Sequence, residues 1–112
     1  LWGRERSMAK IDHNKAIRDK IPEIIEKSGQ KCNVNSLSDV DFLKELEKKL
    51  VEELDEYQES KNIEELADIL EVIYRISSLK GISSEQLDKI RKEKSTKRGA
   101  FDNNLFLIST ED

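Results

Sequence analysis

LVEELDEYQESKNIEELADILEVIYRI, residues 50–76, contains two helix-forming runs on either side of a short polar break. In the first run Leu50, Leu54 and Tyr57 recur at i, i+4 and i+7, the spacing of one helix face. Extended backward, Leu43, Leu46, Leu50, Leu54 and Tyr57 share a stripe roughly 80° wide at 100° per residue, which predicts a core-facing helix. The predicted start is Ser38, where Ser-Asp-Val-Asp resembles a capping box, and the predicted end is near Ser60. The second run predicts a helix from Asn62 to Lys80, with Gly81 supplying a left-handed end. It carries two apolar faces. One holds Ile63, Leu66, Leu70, Ile73 and Tyr74, and the other Ile69, Val72, Ile76 and Leu79. A helix apolar on two sides must be covered on two sides, and the second face is read as a reason to dimerise.

The same stretch is rich in acid. On the first helix Glu53 lies only about 20° outside the apolar stripe, Glu56 sits about 60° further round, and Glu52 and Asp55 point away. On the second helix Glu65 and Asp68 occupy the N-terminal end of the second apolar face, where further apolar residues are expected. Each pair, Glu53 with Glu56 and Glu65 with Asp68, is spaced i, i+3 and aims at one point. Four carboxylates converging on a half-buried site need a counter-charge, because like charges and burial both oppose ionisation. Lys49 or Arg75 is a protein candidate, although Glu71 and Arg75 also fit an i, i+4 surface pair. A donor set of oxygen alone, without His or Cys, matches Mg²⁺ or Mn²⁺ better than zinc or copper. An ExxE spacing by itself is weak in a chain with 24 acidic residues; two such pairs on adjacent antiparallel helices are more specific.

The rest of the chain is read around this hairpin. RDKIPEIIEKSG predicts a short helix capped at Asp19 or a neighbour, with Pro22 in its first turn and Gly29 at its end. Its apolar side is Ile21, Ile24 and Ile25. KCNVNSL carries a weak strand alternation through Cys32 and Val34, and Leu105 to Ile108 is its predicted partner. A last helix is predicted from Ser83 or Ser84 to near Gly99. The expected fold is thus mainly α: an antiparallel bundle of about four helices with a minor two-stranded β pairing. Residues 14–112 form one domain, and 1–13 an irregular N-terminus. The opening LWGRERS precedes Met8, a candidate natural start, so 1–7 read as an upstream remnant.

Composition excludes several classes. Charged residues are 39% and hydrophobic ones 36%, a balance that folds only because the apolar residues are periodic. A net charge of -4 argues against a nucleic acid polymer as partner. A single cysteine, Cys32, rules out an internal disulfide and suits a reducing, cytoplasmic setting. No run approaches the roughly 20 apolar residues of a membrane span.

EELDE at Glu52 to Glu56, followed by EELAD with Glu65 and Asp68, resembles the EExxE and ExxD motifs of the all-α nucleoside triphosphate pyrophosphohydrolases. This is the MazG-like superfamily, which includes phosphoribosyl-ATP pyrophosphohydrolase and dimeric dUTPases. IRDKIPEII and KRGAF look like the flanks of its small, single-domain branch of predicted house-cleaning phosphohydrolases, which extends the resemblance from about Asn14 to Ile108. The resemblance implies a homodimer that uses Mg²⁺ to hold a triphosphate while water attacks the α-phosphorus, giving a nucleoside monophosphate and pyrophosphate. It implies Glu53, Glu56, Glu65 and Asp68 as metal ligands, with Glu53 and Glu52 in catalytic roles and Glu52 a candidate water-positioning base. A polyphosphate also needs protein cations. Lys94 and Arg98, one turn apart near the end of the last helix, are one candidate clamp, and Arg18 and Lys20 another. The chain departs from the branch pattern at Ala16, where an aliphatic residue is usual, and at Gly99-Ala100, where two glycines are. The alternative is a non-catalytic helical interaction module whose acids are solvated or hold a structural cation.

Overall fold

The computed structural model describes residues 10–112. Four helices follow in order: α1 (Ile21–Lys27), α2 (Asp39–Ser60), α3 (Ile63–Leu79) and α4 (Ser84–Arg98). Among the described residues there is no strand, and no helix is long and apolar enough to cross a membrane. The expected upstream remnant at 1–7 lies outside the described residues, and residues 10–13 are irregular.

The helix bounds follow from local chemistry. Ser38 is extended, and its hydroxyl accepts the Asp41 N–H at 3.2 Å, so α2 starts one residue later. Lys61 closes α2 in the left-handed region at φ 58°, donating its N–H to the Tyr57 carbonyl at 2.7 Å. Asn62 then caps α3 through the Glu64 N–H at 3.2 Å, one residue earlier than the box predicted with Glu65. The hairpin link is therefore only Lys61 and Asn62. At the far end the chain turns through Gly81, at φ 83°, and buried Ser77 donates its hydroxyl to the Ile82 carbonyl at 2.8 Å. α1 begins at Lys20 without a side-chain cap, so Asp19 does not cap it.

α4 is closed by a reciprocal box: Ser83 N–H donates to Gln86 Oε1 at 2.8 Å, and Gln86 N–H donates to Ser83 Oγ at 3.2 Å. This helix has no buried residue and packs only on α3, so its cap carries an unusual share of its stability. Ser83→Ala is expected to cost about 1 kcal/mol. The loss will appear as faster amide exchange in the first turns of α4, with α2 and α3 unchanged.

α2 and α3 pack antiparallel along their lengths. Ala16, from the segment before α1, sits between Leu46 of α2 and Val72 of α3, with Phe42, Leu50, Ile76 and Leu79 around them. The two faces of α3 take different roles from those expected. The face of Ile69, Val72, Ile76 and Leu79 is the one packed inward, while Leu66, Leu70 and Tyr74 of the other face stay exposed. The buried side of α2 is likewise turned toward Leu46 and Glu53, leaving Leu54 exposed.

The chain is extended for its size. Its radius of gyration is 19.8 Å, against about 13 Å for a compact chain of this length. It exposes 10523 Å², where a compact monomer of this mass exposes about 6,300 Å². Part of the excess is the C-terminal segment. The predicted pairing of residues 31–37 with 105–108 does not form, both stretches are irregular, and Leu105 remains 89% exposed. An isolated two-stranded ribbon is marginal in water, and both segments stay largely exposed, without an apolar floor beneath them.

Candidate metal centre

The acids gather at the hairpin end of α2 and α3 because the link is so short. Glu52 and Glu53 end the third turn before the link and Glu56 follows one turn later, while Glu65 and Asp68 lie in the first two turns after it. One carboxylate oxygen each from Glu53, Glu65 and Asp68 lies within 4.8 Å of the others, and the same holds for Glu52, Glu53 and Glu56. Glu53 belongs to both triplets. The four predicted ligands thus fall into two triplets that meet at Glu53, and Glu52 joins one of them although the helical wheel turns it away.

Glu53 is 7% exposed. Its Oε1 is 3.5 Å from Lys49 Nζ on the preceding turn, and Lys49 is itself largely buried. Its Oε2 is buried without any hydrogen-bond partner. Burial first, and then the neighbouring Glu56 carboxylate, hold the Glu53 carboxyl above the ordinary glutamate range; Lys49 pulls the other way without cancelling them, and Asp68 adds to the rise. Glu65 is raised as well, by desolvation, by Glu56 and Asp68, and by a hydrogen bond to the Glu56 carboxyl.

Cations meet the outer acids. Lys15 donates to Glu52 Oε1 at 3.0 Å, and Arg18 donates to Asp68 Oδ1 at 2.6 Å while reaching Glu71 at 3.8 Å. The irregular segment before α1 therefore crosses the hairpin as a strap, pinned by Ala16 between its two cations. Glu56 and Glu65 meet no cation among the described residues. Lys15 was not anticipated, and no local sequence pattern signals a contact that spans 37 positions from an irregular segment.

An orphaned buried oxygen, two raised carboxyls and an all-oxygen donor set fit a hard divalent cation, Mg²⁺ or Mn²⁺, held by Glu53, Glu56, Glu65 and Asp68. Glu53 and Asp68 also line a cavity of about 670 Å³, a size suited to a small-molecule ligand. Of the predicted substrate-binding residues, Arg18 and Lys20 line this cavity; Lys94 and Arg98 lie outside it, exposed on the last turns of α4. No family model, no curated protein and no solved structure matches this chain.

Proposed function

We propose that the chain is a Mg²⁺-dependent nucleotide pyrophosphohydrolase of the MazG-like kind, cleaving a nucleoside triphosphate to a nucleoside monophosphate and pyrophosphate. The observation that carries this reading is Glu53: a buried carboxylate with an unpartnered oxygen, shared by two carboxylate triplets and facing a ligand-sized cavity. A helical bundle without a charged ligand favours Leu or Ala at such a position, since a buried carboxylate with an unpartnered oxygen opposes folding. Glu53, Glu56, Glu65 and Asp68 hold the cation, with Mn²⁺ as a substitute for Mg²⁺. When bound, the cation neutralises phosphate charge and activates water toward phosphorus. Glu52, oriented by Lys15, accepts the proton of the attacking water, and Arg18 keeps the Asp68 carboxylate turned toward the cluster.

The enzyme works as a homodimer in which a second copy covers the bare face of α3. The apolar side chains left exposed on that face, Leu66, Leu70 and Tyr74, support this reading. A cytoplasmic setting suits its single free thiol, Cys32.

The test is pyrophosphate release from a panel of standard and modified nucleotides with Mg²⁺, with Mn²⁺ and with a chelator. Release is expected only with a divalent cation, from at least one nucleotide. Absence of release from every nucleotide, together with Mn²⁺ binding, would leave the interaction-module reading with a structural cation in its place.

A further inference from the structure

Two cations lining the cavity are not used by the carboxylates. Arg75 lies on α3 seven residues after Asp68, which places it on the same side of the helix and about 10 Å further along the axis. Its helical neighbour Glu71 is the expected i, i+4 partner, but Glu71 is engaged by Arg18, and Arg75 makes no ion pair among the described residues. Lys20, from the segment before α1, is likewise unpaired. Both line the cavity that contains Glu53 and Asp68. Because α2 runs antiparallel, its contribution beyond Glu53 is Lys49 and then Leu46 and Phe42. Away from the hairpin end the cavity is lined by the unpaired Arg75 and Lys20, together with Asp19 and with Glu71, which Arg18 reaches.

We infer that Arg75, assisted by Lys20, is the subsite for the portion of a polyphosphate remote from the cation, and that Lys94 and Arg98 are not. This rests on the metal-dependent reading of the neighbouring carboxylates. A guanidinium presents a planar fork that matches two phosphate oxygens, and one facing a half-enclosed cavity with no carboxylate of its own is available to an added anion. The charge order also gives direction to the substrate: its metal-binding end lies beside Glu53, and its far end beside Arg75.

The experiment is calorimetric titration of inorganic pyrophosphate into the full chain, in Mn²⁺ and separately in chelator, for wild type, R75Q, R75K and the double variant K94Q/R98Q. Arg75 is exposed and makes no side-chain hydrogen bond among the described residues, so R75Q is expected to melt like wild type. In Mn²⁺, R75Q should bind pyrophosphate about tenfold more weakly, R75K should recover part of the loss, and K94Q/R98Q should match wild type. Binding of Mn²⁺ alone should be the same in all four. Equal pyrophosphate affinity in wild type and R75Q, loss of affinity in K94Q/R98Q, or no pyrophosphate binding in either buffer overturns the subsite. Failure of Mn²⁺ to bind wild type defeats the metal reading separately; the chelator titration then decides Arg75 by the same comparison.

Discussion

Replacing Glu53 by glutamine is expected to make the metal-free protein more stable and the metal-loaded protein inactive. The wild-type carboxylate is buried against Glu56 and Asp68, with one oxygen unpartnered, so at neutral pH its charge opposes folding. An amide of the same shape removes that charge while leaving an oxygen for Lys49. The expected gain is about 1 kcal/mol, or a rise of about 4 °C in the melting temperature of the chelated protein. The sign of the pH dependence follows from the raised pKa. Between the ordinary glutamate value and the raised native value, the folded state binds more protons than the unfolded one. Metal-free stability therefore falls as pH rises through that window, and it is regained on acidification. Glu65 contributes with the same sign, so E53Q should reduce this slope without abolishing it. With Mn²⁺ the order reverses: wild type gains stability from the ion and E53Q gains little. Loss of a direct ligand should weaken Mn²⁺ binding by about a hundredfold or more and remove pyrophosphate release with it. Unchanged release in E53Q, with normal Mn²⁺ affinity, would sink the mechanism.

A second large effect is expected at the bare face of α3. Leu70 is about half exposed, between Leu66 and Tyr74 on the face of α3 left largely open among the described residues. A two-fold dimer buries the exposed half of this leucine once in each protomer, worth about 0.7–1.5 kcal/mol per copy. An aspartate there replaces that gain with the cost of burying a charge. Wild type should sediment at twice 13.0 kDa, and L70D at 13.0 kDa with its helix content kept, because Leu70 is not among the buried residues of the protomer core. A monomeric wild type at tens of micromolar, or a dimeric L70D, overturns the homodimer.

The parts of the fold that were legible in the sequence are those specified by neighbours along the chain. Ser38, Asn62 and Ser83 mark the starts of the three long helices because a cap is a contact within three residues. The convergence of Glu53, Glu56, Glu65 and Asp68 was legible for a related reason: helical periodicity and a two-residue link leave little freedom in how the pairs meet. What the sequence concealed depends on distant contacts. Lys15 reaches Glu52 across 37 positions and Arg18 reaches Asp68 across 50, from a segment with no periodicity to announce a face. That strap also redirects Glu71 from Arg75 to Arg18. Which face of α3 would be covered was concealed too. Both are apolar, and the outcome depends on α2 turning its buried side toward Glu53 rather than toward Leu54. The predicted strand pairing failed because alternation in two short segments does not supply the layer beneath them.

The link of Lys61 and Asn62 fixes the phase between the two helices. One residue inserted there would advance everything after it by about 100° around the α3 axis, or lengthen the turn by up to about 3.5 Å. Either change would carry Glu65 and Asp68 away from Glu53 while leaving every acid and every cap in the chain. The spacing between Glu53 and Glu65 is accordingly as much a part of the centre as the carboxylates are. A search for proteins built on the same plan should hold that interval as fixed as the residues at its ends.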